Sequence, residues 1–217
     1  MDTLDSNYRL YILKSLYEDI KKTFHYKQTE SHNKIKSIAI KVKDSILNID
    51  DFIQKNTSVI CRNCEKVCCI NKHGYYEFED LIFLNAINES LPKYREGIVD
   101  EEPCQFLTSH GCTLDRFIRP FRCNWYFCIP LINHMQNQKG KDLRRFENTL
   151  QQIIDDRREM VGIYIKFNPN TAIRMGSEVN SDVLAAVLCD MSVKQPQVFE
   201  PEETGSQKSH KIFWGGS

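Results

Sequence analysis

CRNCEKVCC, residues Cys61–Cys69, places four cysteines in nine positions and ends on an adjacent pair. How these thiols are used decides the fold, because a disulfide framework, a metal-organised core and a redox site each imply a different scaffold. The chain holds nine cysteines. The eight from Cys61 to Cys128 run C-x2-C-x3-C-C, then thirty-four residues, then C-x7-C-x10-C-x4-C. A C-x2-C step lets two sulfurs converge on one ion from a tight turn, and distant cysteines complete the shell. Neighbouring side chains of an extended segment point to opposite sides. Cys68 and Cys69 are therefore expected to face different ions, or one ligates while the other packs or reacts. Eight thiols suffice for two four-cysteine sites, or for one site with a spare reactive pair, and spacing alone does not divide them.

The first residues, MDTLDSNYRLYILKSLYED, carry acidic side chains throughout and lack an uninterrupted apolar stretch, so they do not read as a secretory signal or transit peptide. No run of eighteen apolar residues suggests a membrane-spanning helix. These features point to a soluble, cytoplasmic protein, where thiols stay reduced and clustered cysteines serve metals more often than bridges. A thioredoxin-like use of Cys61-Arg62-Asn63-Cys64 needs a helix start after a strand in a βαβ unit, and this chain is helix-rich instead. The expected ligands of a zinc ion or an iron–sulfur cluster are Cys61, Cys64, Cys68, Cys69, Cys104, Cys112, Cys123 and Cys128, and thiolate ligands do not separate the two cofactors. His73 and His110 stand close enough in sequence to replace a sulfur, or are plain loop histidines. Cys189, in SDVLAAVLCDM, reads as a small buried apolar residue.

Outward from the cysteines the pattern is helical. Leu10, Leu13, Leu16, Tyr17, Ile20 and Phe24 make one stripe at three-and-four spacing, and Ile35, Ile38, Val42, Ile46, Ile49 and Ile53 make a second. Residues up to about Gln54 thus read as a helical hairpin, two packed helices or one kinked helix. Glu77, Glu79 and Asp80 suit the first turn of a short helix ending before Pro92. Tyr94 to Pro130 reads as loops and turns with a small hairpin at Ser109-His110-Gly111. Leu143, Phe146, Leu150, Ile153, Ile154, Met160, Val161 and Tyr164 trace a long helix from Lys141. A tail from about Lys194, ending near Phe213-Trp214, has no core pattern. The expected organisation is an N-terminal amphipathic helical pair over 1–56, a cysteine-cluster core with packing helices over 57–192 and a flexible tail over 193–217. The fold class is mainly α, a small helical domain around a loop-rich, cysteine-ligated metal centre with little regular sheet.

The 29 basic and 29 acidic residues cancel, so no global field favours nucleic acid or an anionic membrane, and neither partner is expected. Charge is segregated locally. Arg116, Arg119, Arg122, Lys139, Lys141, Arg144 and Arg145 face only Asp142 in their stretch, whereas Glu77 to Glu102 holds eight acids against Lys93 and Arg95. A buried four-thiolate site is anionic and needs such cations or amide hydrogens beside it, with Arg119 or Arg122 as candidates.

The first cysteine box, with Pro103-Cys104-Gln105-Phe106-Leu107, Gly111-Cys112-Thr113-Leu114 and Arg119-Pro120-Phe121-Arg122-Cys123, resembles the YkgJ-type cysteine-cluster family, named for a zinc- or iron-chelating CxxCxxCC domain. The likeness spans Cys61 to Cys128. It departs from the family pattern in the three residues before the double cysteine, where two are usual, and in Asp115, where an aromatic residue is often found. More distantly, Cys64 to Cys69 is similar to the box of flagellin lysine methylases. No C-x3-C-x2-C radical-type triad and no Rossmann-type glycine motif is present. The resemblance implies a metal-binding protein holding zinc or an iron–sulfur cluster in a structural or carrier role. Its alternative is a cluster-dependent enzyme modifying protein side chains, with a protein substrate steered by the charged segments. A lower alternative is an adaptor whose helices bind a partner.

Overall fold

The computed structural model describes residues 6–26, 29–64, 67–137 and 140–169. The expected Cys189 helix and the tail from Lys194 to Phe213-Trp214 lie outside these residues. Among the described residues the chain is mainly helical: α1 (Ser6–Tyr26), α2 (Glu30–Ile60), α3 (Phe78–Ala86), α4 (Arg122–Trp125), α5 (Ile129–Asn137) and α6 (Lys141–Phe167). The sheet is a single two-stranded ribbon, β1 (Leu107–Thr108) with β2 (Gly111–Cys112), antiparallel with Leu107 opposite Cys112 and Thr108 opposite Gly111. No helix among the described residues is long and apolar enough to cross a membrane.

The apolar stripes read from the sequence are the buried faces. All six residues of the second stripe are buried in α2, and Phe146, Leu150, Ile153, Met160, Val161 and Tyr164 are buried in α6. These two helices share the most extensive contact in the chain and run antiparallel, since Lys34 pairs with Glu159 at 2.7 Å while Phe52 stacks on Phe146 at 4.8 Å. The main partner of α1 is α3, and its Tyr17 hydroxyl donates to the Glu89 carbonyl at 2.9 Å. The two N-terminal helices are thus separate elements that pack chiefly on later ones. Stripe spacing gives a helix its apolar face but not the identity of the surface that covers it.

Helix α3 is buried nearly throughout and is closed at both ends by local hydrogen bonds. At its start the Glu77 N–H donates to Asp80 Oδ2 at 3.0 Å, one arm of a capping box. At its end Asn88 takes a positive φ of 59°, and the Glu89 N–H reaches the Leu84 carbonyl at 2.8 Å, the pattern of a Schellman cap with asparagine in the left-handed position.

Two elements extend beyond the sequence expectation. Helix α2 continues past Gln54 to Ile60, and polar side chains of its last turns bond back to their own helix: Asn56 Nδ2 donates to the Phe52 carbonyl at 2.7 Å and Thr57 Oγ1 to the Ile53 carbonyl at 2.8 Å. Helix α5 begins at the stretch read as the end of a loop. Pro130 is its second residue, a place where the missing N–H costs nothing, and Leu131 and Met135 bury one side of it.

Candidate metal centre

Helix α2 delivers Cys61 as its C-terminal cap, and Cys61–Asn63 tightens into a 3-10 turn in which the Cys64 N–H donates to the Cys61 carbonyl at 3.3 Å. Side chains three apart on such a turn eclipse, which is what a C-x2-C pair needs to approach one ion. Cys128 comes from sixty-odd residues away, immediately before α5, where the Ile132 N–H donates to its carbonyl at 3.0 Å and the Leu131 N–H to its sulfur. A thiol in this N-terminal position meets free amide hydrogens and the positive end of the helix dipole. Cys128 and Cys68 hydrogen-bond through their sulfurs, and the charge of Cys128 acts on Cys61.

The other cysteines are assembled by loops. Residues 69–73 run beside 100–104: the Cys104 N–H donates to the Cys69 carbonyl at 2.8 Å, the Asn71 N–H to the Glu102 carbonyl at 3.0 Å and the Lys72 N–H to the Asp100 carbonyl at 2.9 Å. Buried Asn71 locks the pairing, donating from Nδ2 to the Val99 carbonyl and accepting the Gln105 N–H at Oδ1, both at 2.8 Å. From outside, Arg9 of α1 holds Asp100 at 3.1 Å. The β1–β2 hairpin then folds Cys112 back toward Cys104, with Gly111 at φ 107°, a conformation that favours glycine. Cys123, in α4, comes within electrostatic reach of Cys112, Cys104 and Cys69. Gly74 is needed for space here, because a Cβ on it would lie 3.1 Å from Cys104 Sγ and 3.3 Å from the Asn71 carbonyl oxygen.

What holds the Cys123 end in place is a carboxylate. Asp80 Oδ1 accepts from Arg157 Nη2 at 2.7 Å and from the Phe121 N–H at 3.1 Å, while Oδ2 takes the Glu77 N–H. Both charged side chains are buried, 5% exposed for Asp80 and 8% for Arg157. The Arg157 guanidinium also lies over the Phe121 ring at 4.4 Å. Helix α6 thereby reaches across α3 to the segment that carries Cys123. Sequence reasoning passed over this pair, although two signals were available: Arg157 falls inside the apolar stripe, four residues after Ile153 and three before Met160, and Asp80 is three residues after Glu77 at capping-box spacing.

None of the eight cysteines is in a disulfide, and each acts electrostatically on at least one of the others. Burial pushes Cys123 up to about 12, helped by Cys112 and Cys104. Cys68 is drawn down by its hydrogen bond with Cys128 but pushed further the other way by its bond with Cys69, by burial and by the charges of Cys69 and Cys61, ending at about 11. Cys128 is raised by its hydrogen bond with Cys68 and then by burial, and burial also raises Cys61 and Cys104. Cys69 alone among the shifted thiols moves down, through the hydrogen bond from Cys68. Among the described residues no three His, Cys, Asp or Glu side chains are yet closed to coordinating distance. The raised thiols, Cys61, Cys68, Cys104, Cys123 and Cys128, keep their protons at neutral pH, and a divalent cation is the kind of partner that would replace them.

Of the two candidate arginines, Arg119 acts on a thiol: its charge lowers Cys123, while its Nε donates to the Leu114 carbonyl at 2.9 Å. Arg122 pairs with Glu77 at 3.0 Å and its charge reaches His73 and Tyr126. His73 lies beside the first box, with Nδ1 3.2 Å from the Cys68 carbonyl and its ring against Tyr126, whereas His110 is exposed in the hairpin loop. In the comparisons with known proteins, no family model, curated protein or solved structure matches the chain.

Proposed function

We propose that this chain is a cytoplasmic metal-binding protein that holds zinc or an iron–sulfur cluster through clustered cysteine thiolates, in a structural or carrier role, as the resemblance to the YkgJ-type family implies. One observation carries the reading. Eight thiols outside any disulfide, drawn from the end of α2, two loops, the hairpin, α4 and the residue before α5, act electrostatically on one another. The donor set is suited to zinc or iron–sulfur chemistry, with N–H donors supplied to sulfur by Phe106 at Cys104 and Leu131 at Cys128. When bound, the metal would supply cross-linking of loops that share few apolar contacts, and its binding energy would be part of folding energy, on the order of 10 kcal/mol for structural zinc.

Elemental analysis of the full chain purified without oxygen tests this. Stoichiometric zinc, or iron with visible absorption, is the expected result, and a metal-free chain that takes up neither on reconstitution would remove the reading. A brown, iron-loaded protein would favour the cluster over zinc and bring the side-chain-modifying enzyme forward.

A further inference from the structure

Resting on the metal-binding reading above, we propose that the eight thiols form two separate four-thiolate sites, Cys61, Cys64, Cys68 and Cys128 in one and Cys69, Cys104, Cys112 and Cys123 in the other, divided between the adjacent Cys68 and Cys69. Three observations bear on the division: backbone geometry, which places Cys61, Cys64, Cys69, Cys104 and Cys112, and the electrostatic neighbours of the sulfurs and of the flanking tyrosines, which agree with it and place Cys68, Cys123 and Cys128. Backbone construction is the first: the 3-10 turn joins Cys61 to Cys64, whereas the Cys69–Cys104 backbone bond and the hairpin join Cys69, Cys104 and Cys112.

Sulfur neighbours are the second. Cys61 is acted on by Cys128 and Cys64, and Cys68 bonds Cys128, while Cys104 is acted on by Cys112, and Cys123 by Cys112 and Cys104. The aromatic flanks are the third. Tyr126 is acted on by Cys68 and Cys128, members of the first set. Tyr76 and Tyr94 are acted on by Cys104 and Cys123, and Tyr76 also by Cys112, all members of the second. Those two buried phenols are fixed by donating to the Ile118 and Gly74 carbonyls, so they form a rigid wall on one side of the second set.

The sets adjoin only where the chain passes from one to the other. Cys68 and Cys69 hydrogen-bond, and the charge of Cys61 reaches Cys69. Successive residues of an extended segment turn their side chains to opposite sides, so one peptide unit can feed two ions without either sulfur bridging them. Each set also has its own source of positive potential. The N-terminal amides of α5 serve the first, and Arg119 and Arg95 act on Cys123 and Cys104 of the second.

Cadmium, a thiophilic stand-in for zinc with an NMR-active nucleus, tests the division in the full-length chain. Two all-sulfur cadmium resonances are expected, at about two ions per chain, with the Cys68 β-protons coupled to one and the Cys69 β-protons to the other. Coupling of both cysteines to the same ion, a sulfur bridging two ions, or a single ion per chain would overturn the division while leaving metal binding intact. A chain that takes up iron but neither cadmium nor zinc would likewise overturn the division alone, and one that takes up none of the three would overturn the metal reading and the division with it. Paired substitutions give a second measure: Cys64→Ser with Cys128→Ser should retain about one ion, and Cys64→Ser with Cys112→Ser should retain about none. Equal losses from the two pairs refute the grouping, and the unsubstituted chain's spectrum decides should either variant fail to fold.

Discussion

Replacing Asp80 by alanine strikes the one charge on which α3, α6 and the Cys123 segment all depend. The substitution removes the acceptor of three hydrogen bonds, from Arg157, from the Phe121 N–H and from the Glu77 N–H. It also strands a guanidinium that is 8% exposed. Breaking a buried ion pair from one side costs about 3–5 kcal/mol, because the partner keeps its desolvation penalty. The Phe121 ring over Arg157 recovers part of that, about 0.5–1 kcal/mol or somewhat more at a desolvated site. A loss of about 3 kcal/mol or more remains, a large share of a typical domain's 5–15 kcal/mol. Urea unfolding followed by far-ultraviolet circular dichroism measures it. Arg157→Met gives the internal comparison: it leaves Asp80 with both backbone donors at a helix N-terminus, a setting that tolerates a carboxylate, so it should cost less than Asp80→Ala. A loss below about 1 kcal/mol for Asp80→Ala, the range of an exposed pair, would refute the claim that this carboxylate holds the three segments together.

Gly74→Ala should cost about 1–3 kcal/mol by overpacking and disturb the placement of Cys104, since the new methyl carbon meets Sγ at 3.1 Å; unchanged melting and metal content would contradict this. The raised thiols predict a pH dependence whose sign follows from linkage. Cys68 near 11 and Cys123 near 12 in the metal-free fold, against an ordinary 9.0, contribute stability below about pH 9 that is lost as pH rises through 11 and 12. The same protons must leave when a metal binds at neutral pH, so an indicator dye should report close to one proton released per ligating sulfur. Release of fewer than about half that number would mean that the thiols were already ionised.

The helical frame was legible because each long helix carries an apolar stripe, and those stripes of α2 and α6, the latter interrupted by Arg157, are buried faces. Helix α5 was not, since Pro130 and its neighbouring cysteines look like loop chemistry until Leu131 and Met135 are seen to be buried. The last turns of α2 were hidden for a related reason: Asn56-Thr57-Ser58 reads as a terminus, yet these side chains bond back to carbonyls of their own helix. Residue type marks all eight cysteines as candidate ligands, but their neighbours depend on how loops pair. Cys128 acts on Cys68 from just before α5, and Cys69 is bonded to Cys104 through the backbone where Asn71 helps tie two loops together.

The distribution of buried apolar residues gives the thiols their physical context. The core is supplied chiefly by α1, α2, α3, α5 and α6, while between Ile87 and Cys128 only Tyr94, Ile98 and Phe106 are buried hydrophobics. A loop region of that length gains little from the hydrophobic effect and must be fastened otherwise. Part of the fastening is polar and lies at the edges: Arg9 on Asp100, Arg116 on Asp50 and the Phe121 N–H on Asp80 each anchor the region to a helix. Cys64, Cys68, Cys69 and Cys104 lie on the turns and loops among those anchors. Small reduced domains short of apolar contacts commonly meet that need with a metal. The same geometry accounts for the adjacent pair in CRNCEKVCC: Cys68 belongs with the sulfurs at the ends of α2 and the start of α5, Cys69 with those of the paired loops and hairpin, so the peptide between them is the joint between the helical frame and the loops it carries.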